Sequence, residues 1–482
     1  MSCEDKIGSS TRPLRVAIVG SGPSGFFAAG YLQKGPLAIE VDMFDRLPTP
    51  FGLVRGGVAP DHPEIKGVAR VFDRIAAHPH CRFFGNVTIG KDLEHDELAR
   101  FYDAVIYAVG AQSDRRLGIP GEELSGVHAA REFVGWYNGD PDYRDSSFDL
   151  SQESVVVVGL GNVAIDVARI LGGSHASLCG TDIAGHALEA LAASRVKTIT
   201  ILGRRGPAQA AFTNPELCEL GGLPDTDVVV TPEDLAFDEA TRTAIARAED
   251  PTPRENIETL GAYASRAPSG GDKRIAVRFL VSPIALHGRG RVEAMTLMRN
   301  RLEPDGRGVM RAVATGETET IPVGLVLRSI GYRGVPVPGL AFDRRAAVIP
   351  NAAGRVLAAP GGSETMPGVY VVGWIKRGAN GVIGTNKRDA YETVTLLLED
   401  FREGRLRGAE RRSREGVLRL LDERGVAVVS YEDWRRLDEI ELARGRETGR
   451  PRLKFCRVEE MLEAVRRARP PRAVVANWGP LN

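Results

Sequence analysis

Cysteine is scarce in this 482-residue chain: Cys3, Cys81, Cys179, Cys218 and Cys456 are scattered, and no two stand at C-x-x-C spacing. That spacing excludes a sequence-adjacent redox disulfide and the usual zinc clusters, and an odd, scattered count suits a reducing compartment. Charge of either sign is also missing on balance. With 63 basic and 63 acidic residues the formal net charge is zero, which argues against nucleic acid as the main partner. No run reaches the ~20 apolar residues of a membrane span, and residues 1–15 lack the apolar stretch of a secretory signal. The expectation is a soluble, cytoplasmic protein with no membrane span. Aromatic residues make up only 6% while glycines number 55, a balance that fits a glycine-turn-rich α/β protein better than an all-β one. The length calls for two or three domains.

Val16–Gly25, VAIVGSGPSG, is the stretch around which the chain is organised. Four apolar residues run into Gly20, Gly22 and Gly25 follow at G-x-G-x-x-G spacing, and a helical pattern begins at Phe26. The spacing predicts a strand, a tight turn and a helix whose N-terminus faces a pyrophosphate. Ile39–Phe44 reads as the next strand, and Asp45 ends it about twenty residues beyond Gly25, where a carboxylate would accept ribose hydroxyls. The ligand expected here is a dinucleotide.

Residues Leu47–Lys66, LPTPFGLVRGGVAPDHPEIK, follow without a sustained period and read as a long structured loop. Long loops in compact domains are usually functional. Phe51, Leu53 and Val54 within it need something to pack on, either a flat cofactor or a small core of the loop's own. His62 is a candidate acid, base or hydrogen-bond donor near a redox centre. Helices are expected over 67–77 and 96–102, and strands over 81–87 and 103–109. The last of these strands closes on Gly110, and a crossing between domains is expected near residue 112.

A second nucleotide signature appears at Val155–Ala168, VVVVGLGNVAIDVA, with Gly159 and Gly161 in the turn and Ala164 at the third small position. Two such motifs imply two dinucleotides. The discriminating position differs, because the next strand, Thr198–Leu202, ends in Gly203-Arg204-Arg205 where the first unit has a carboxylate. Paired arginines grip a 2′-phosphate bidentately, so the second nucleotide is expected to be NADP. Further on, Glu216 and Glu219 share a helical face. They either orient a nicotinamide carboxamide, handle protons, or stand as exposed surface acids.

Residues 275–281 and 291–301 read as strands of a β-meander, and 323–330 as an apolar strand closing on Gly331, the expected return crossing. One more apolar strand leads into Trp374–Ala390, WIKRGANGVIGTNKRDA, where Gly378, Gly381, Gly384 and Asn386 precede a long helical pattern. Its N-terminus is placed to face an electron-rich group such as an isoalloxazine edge. Between 402 and 472 there are 20 Lys and Arg against 14 Asp and Glu. This basic tail either attracts an acidic partner or forms solvated helical faces.

The first motif, the PFGLVRGGVAPDHPEIK loop, GLGNVAIDVAR, GRRGPAQAAFT and GVIGTNK together resemble the adrenodoxin reductase family, which includes bacterial FAD-dependent NADPH–ferredoxin reductases. The resemblance covers most of the chain. It implies an α/β fold with two Rossmann-like dinucleotide-binding domains of the three-layer ββα type, the NADP domain inserted in a discontinuous FAD domain. On that reading the FAD domain comprises residues 1–112 and 336–482, the latter with a C-terminal helical tail, and the NADP domain residues 113–335. FAD would be held by Gly20, Gly22, Pro23 and Gly25 at its pyrophosphate and by Asp45 at its ribose. Asp45 stands where the family's usual residue is glutamate. Leu53, Val87, Trp374, Gly381, Val382 and Ile383 would complete the FAD site. NADP(H) would be held by Gly159, Gly161, Asn162 and Val163, with Arg204 and Arg205 on the 2′-phosphate and Glu216 close to the nicotinamide half. His62 and Glu219 match the positions expected to assist catalysis. The implied activity is hydride transfer from NADPH to FAD and single-electron transfer to a ferredoxin or related small acidic iron–sulfur protein, by a monomer or weak dimer.

Overall fold

The computed structural model describes residues 7–237, 242–243, 245–246, 249–410 and 413–469. β1 (Leu14–Val19) is buried along its whole length. It is flanked in parallel by β2 (Ile39–Phe44) and β4 (Ala104–Tyr107). β3 (Cys81–Phe84), β16 (Asn351–Ala352), β17 (Arg355–Leu357) and β18 (Thr365–Val371) complete a seven-stranded sheet of order β16-β17-β18-β4-β1-β2-β3. Its strands therefore come from both ends of the chain. Helices Pro23–Leu32 and Ile383–Arg402 cover one face, with Phe26, Ala29, Ala390, Val394 and Leu397 in its core. The other face is closed by helices His95–Phe101 and Gly416–Glu423 through Leu98, Phe101, Val417 and Leu421.

A second sheet is wholly parallel and has the order β6-β14-β7-β8-β10-β9. Its strands are β6 (Val127–Ala129), β7 (Ser154–Val158), β8 (Thr198–Leu202), β9 (Thr226–Val230), β10 (Lys273–Arg278) and β14 (Leu325–Arg328). Four consecutive valines in β7 serve both faces, as a doubly covered strand requires. Val155 and Val157 meet Ile165, Ala168 and Leu171 of helix Asn162–Gly172. Val156 and Val158 meet Leu286, Met295 and Leu297 of an antiparallel three-stranded sheet. That sheet comprises β11 (Val281–His287), β12 (Ala294–Pro304) and β13 (Met310–Pro322). Here the layers run antiparallel sheet, parallel sheet, helices.

The meander is thus present, but residues 275–281 do not begin it. β10 lies inside the parallel sheet, hydrogen-bonded to β8 and β9. An apolar strand's own residues do not say which neighbours it takes, and the short Phe279–Leu280 corner separates β10 from β11. Between the large sheets, β5 (Ser113–Asp114) pairs antiparallel with β15 (Tyr332–Arg333), so the chain leaves the first sheet and returns to it side by side. Residues 47–66 contain two short helices, Leu53–Gly56 and Pro63–Lys66.

Candidate active site

The first glycine turn is built by close backbone approach. Gly20 has φ +106°, and a Cβ there would come within 2.5 Å of the Ala108 carbonyl oxygen, while a Cβ on Gly25 would overlap the carbonyl oxygen of Gly20. Pro23 opens the helix with Gly22 as its N-cap, where the missing proline N–H costs nothing. Asp45 braces this turn: its carboxylate accepts from Ser21 N at 2.9 Å, Ser21 Oγ at 2.5 Å and Leu47 N at 3.0 Å. Val87, one of the expected cofactor residues, has its side chain in the core at 1% exposure. Only its backbone remains to face a ligand.

Two other segments converge on this turn. The 47–66 loop doubles back so that a Cβ on Gly52 would lie 2.9 Å from the Gly22 Cα, which leaves Leu53 half-exposed beside it. From the C-terminal side, Ser24 Oγ donates to Asn386 Oδ1 at 3.0 Å, so the first turns of helices Pro23–Leu32 and Ile383–Arg402 meet. Two positive helix ends therefore point into one region. Val382, the N-cap of the second helix, is exposed, as is Gly381, with Ile383 half-buried. Trp374 donates its indole N–H to Asn380 O at 2.9 Å and stacks on Tyr332, centroids 5.5 Å apart.

The second turn repeats the first. Gly159 has φ +138°, and a Cβ there would overlap the Ser329 carbonyl oxygen. Gly161 caps helix Asn162–Gly172 and has nothing within 4 Å of where a Cβ would stand. Asn162 Oδ1 accepts from Thr213 N at 2.8 Å, and Val163 is half-buried beside it. At the end of β8, Arg204 is exposed and Arg205 donates to Gln209 O at 3.3 Å. Neither guanidinium has an ion-pair partner among the described residues.

Between the turns lies a buried ionic cluster that joins the two halves of the molecule. His62, only 3% exposed, comes from the 47–66 loop. Glu216 and Glu219 come from helix Asn214–Leu220. His62 Nε2 lies 2.7 Å from Glu219 Oε2 and 3.8 Å from Glu216 Oε2. Arg169 sits at the centre, 4% exposed, contacting His62 and Glu219, with Asp166 at 2.7 Å and Asp61 at 3.3 Å. The Asp166 carboxyl is pushed above the usual range mainly by burial, with Glu216 and Asp61 adding repulsion and Arg169 and His62 opposing it. Glu216 Oε2 and the Tyr137 hydroxyl are buried with no hydrogen-bond partner among the described residues. Burial holds the Tyr137 and Tyr332 hydroxyls in their neutral forms, Tyr332 up at about 12. Trp374 and Tyr332 thus form one stacked pair, and Asp166, Arg169 and His62 a contiguous charged group.

Relatives with known structures share this architecture. Residues 14–200 match the family described as pyridine nucleotide-disulphide oxidoreductase. The chain is 49% identical over 461 residues to NADPH-ferredoxin reductase FprA of Mycobacterium tuberculosis, covering 94% of this chain and 99% of that protein. It is 44% identical to mitochondrial NADPH:adrenodoxin oxidoreductase of Arabidopsis thaliana, covering 95% and 96%. The structure of M. tuberculosis FprA in complex with NADPH superposes with a TM-score of 0.89 at 48% identity, over 94% of this chain and all of that one. The chain belongs to the adrenodoxin reductase family.

The family resemblance named His62, Glu216 and Glu219 in this region, and they do come together. Arg169, Asp166 and Asp61 join them unannounced. Arg169 and Asp166 lie inside GLGNVAIDVAR, three apart on one helix, and Asp61 adjoins His62. The signal was the spacing of opposite charges on an otherwise apolar buried helix. The four described cysteines are all free.

Proposed function

We propose that the chain is an FAD-dependent NADPH–ferredoxin oxidoreductase. The observation that carries this reading is the His62–Glu219 contact. It brings a loop of the first glycine unit against a helix of the second. The residues present fit both nucleotides. The nearest atom to a Cβ on Gly22 would be the Gly52 Cα at 4.0 Å, and a Cβ on Gly161 would meet nothing within 4 Å, so each turn keeps the open cradle a pyrophosphate needs.

Gly20, Gly22, Pro23 and Gly25 then hold the FAD pyrophosphate, with Asp45 shaping their turn at the ribose end. Leu53, Trp374, Gly381, Val382 and Ile383 surround the flavin end, and Val87 adds backbone only. Gly159, Gly161, Asn162 and Val163 take the NADP phosphates, and Arg204 and Arg205 the 2′-phosphate. Glu216 faces the nicotinamide half. His62 and Glu219 hold a proton between them beside it, and Arg169 fixes their positions. Bound FAD supplies what no side chain can, the acceptance of two electrons as a hydride and their release one at a time. The chain's part is orientation, exclusion of water and charge balance. Residues 1–112 and 336–482 form the FAD domain and 113–335 the NADP domain. The acceptor is a ferredoxin or similar small acidic iron–sulfur protein. The setting is cytoplasmic and the protein a monomer or weak dimer. No helix among the described residues is long and apolar enough to cross a membrane.

The purified protein is expected to be yellow, with flavin absorbance bleached by NADPH under anaerobic conditions. A colourless protein defeats the proposal. Cytochrome c reduction with NADPH, run with and without each ferredoxin of the same cell, identifies the acceptor. A preference for NADH in that assay contradicts the assignment of Arg204 and Arg205.

A further inference from the structure

The Gly203-Arg204-Arg205 turn does not hold its own shape. Each of its three carbonyl oxygens is taken by the root of the antiparallel sheet. Val281 N donates to Gly203 O at 3.0 Å, Asn300 Nδ2 to Arg204 O at 3.0 Å and Leu280 N to Arg205 O at 3.2 Å. Leu280 reaches this position with φ +55°, a conformation unfavourable for a leucine and one that needs surrounding structure to enforce it. The enforcement is visible: Asn300 N donates to Leu280 O at 2.7 Å. Asn300 is 6% exposed, and its amide also donates to Ser282 Oγ at 2.8 Å. One buried side chain therefore ties the arginine turn to β11 and β12 together.

The arm also bends toward this turn. The β12–β13 register is regular from Ala294 to Met298, shifts between Met298 and Asn300, and resumes with Asn300 opposite Ala314. A bulge of this kind kinks and re-aims a strand pair. Beyond it, Leu302 lies 3.3 Å from where a Cβ on Gly206 would stand. The same distal segment carries Arg311, paired in register with Glu303. Arg311 is held through Nε by Asp305 at 3.0 Å, and the Asp305 carboxylate is itself fixed by the backbone N–H groups of Arg307 and Val309. Arg311 thus stands on the arm segment that reaches Gly206, and among the described residues no carboxylate pairs with Arg204 or Arg205. The Arg205 guanidinium is pulled below its ordinary value by burial, then by Arg204 and by Arg311. Two guanidiniums without a carboxylate partner beside a nucleotide turn suit an anion.

We propose that the bent antiparallel arm sets the preference for a nucleotide bearing a 2′-phosphate. Asn300 is the positioning residue that fixes the Arg204–Arg205 turn, and Arg311 is the third guanidinium at the phosphate. This rests on the assignment of Arg204 and Arg205 to the 2′-phosphate, and it adds that a selective site requires an element on the far side of the turn.

The test uses the full-length flavoprotein and two variants, Asn300→Leu and Arg311→Met, with the double variant Arg204→Met/Arg205→Met as reference. Two quantities are read: the ratio of kcat/KM for NADPH to that for NADH, and the affinity for adenosine 2′,5′-bisphosphate against that for 5′-AMP by calorimetry. Losing one well-placed phosphate contact is worth about 1.4 kcal/mol or more, so each single variant should lower both ratios about tenfold. The 5′-AMP affinity and flavin content should stay within about twofold, which a merely structural role of Asn300 would not predict. The proposal is overturned if both single variants keep the wild-type ratios while the reference variant loses them. If the reference variant also keeps them, the arginine assignment itself fails, and this proposal with it. Arg311 lies on an exposed edge strand, so Arg311→Met decides the matter alone should Asn300→Leu not fold.

Discussion

His62 sits in a loop, yet 3% exposure and contacts to Arg169, Glu216 and Glu219 make it an interior residue. Because hydride transfer needs orientation before proton chemistry, His62→Ala should slow stopped-flow flavin reduction by NADPH about tenfold, less than the loss of an essential general acid. Retained flavin content shows that the effect lies in the reaction, and full activity or loss of FAD would contradict it. Arg169 is the opposite case. Its guanidinium meets Asp61, Asp166 and Glu219 together. Arg169→Leu takes from the buried Asp166 its nearest counter-charge, while Asp61 and Glu219 keep access to solvent, so the cost should reach at most about 3 kcal/mol, the lower end for a broken buried ion pair, measurable as a lowered midpoint in urea. His62 was legible because it lies in a family-specific string, and Glu216 and Glu219 because they stand three apart on the helix that follows another such string. Arg169 was not, since a charged residue on an apolar helix declares its partners only when three separate segments close around it.

At the scale of elements, the two glycine turns were the most legible part of the sequence. Their geometry is local: a strand, a turn and a helix within about ten residues of one another fix which backbone atoms approach. The structure separates two kinds of glycine inside one motif. Gly159 is required by the fold, with positive φ and the Ser329 carbonyl against it, whereas Gly161 faces open space. Gly159→Ala should therefore lower thermal stability whether or not nucleotide is present. Gly161→Ala should leave the apoprotein midpoint unchanged and weaken NADPH binding about tenfold or more, because the methyl group occupies the ligand's place. Equal stability losses in the two variants would show that Gly161 too is a packing glycine. β10 was misread as part of the meander for the complementary reason. Its alternation shows a strand, but its pairing with β8 and β9 joins residues about 50 to 75 positions apart, and periodicity carries no record of that.

At the scale of the molecule, the C-terminal tail is where the sequence said least. Its excess of basic residues suggested an acidic partner or solvated faces, but much of that charge is satisfied within the chain. Residues 450–457 run as a strap between helices Tyr431–Glu447 and Val458–Ala468. Arg450 donates to Ile183 O, Lys454 pairs with Asp182 at 3.1 Å, and Arg457 pairs with Asp145 at 2.5 Å. On the other side Arg452 and Arg55 grip the fully buried Glu441 at 3.0 and 2.5 Å. The strap thereby ties the 47–66 loop to the half that carries the second parallel sheet. At its centre Asp182 is shared by two ammonium groups, Lys454 and Lys66, the latter at 2.5 Å. Two cations on one buried anion cannot both be fully compensated. Burial, with the repulsion of Lys454, pushes Lys66 down to about 7, while the lysines hold Asp182 down to about 2 against its burial. The folded chain thus binds the Lys66 proton more weakly than the unfolded chain does. The stability this group contributes is complete above its ordinary value of 10.5, declines as pH falls from there to about 7, and is flat below. Its slope is at most about 1.4 kcal/mol per pH unit. Asp182 acts in the acid range, contributing stability that is complete above 3.8 and lost as pH falls through about 2. Lys66→Met removes the first contribution and keeps the Asp182–Lys454 pair. Its stability relative to the parent chain, from urea midpoints, should therefore improve steadily between pH 10 and pH 7 and then level off. A difference independent of pH over that window would mean that Lys66 stays fully charged in the fold and that the strap holds all three charges at once.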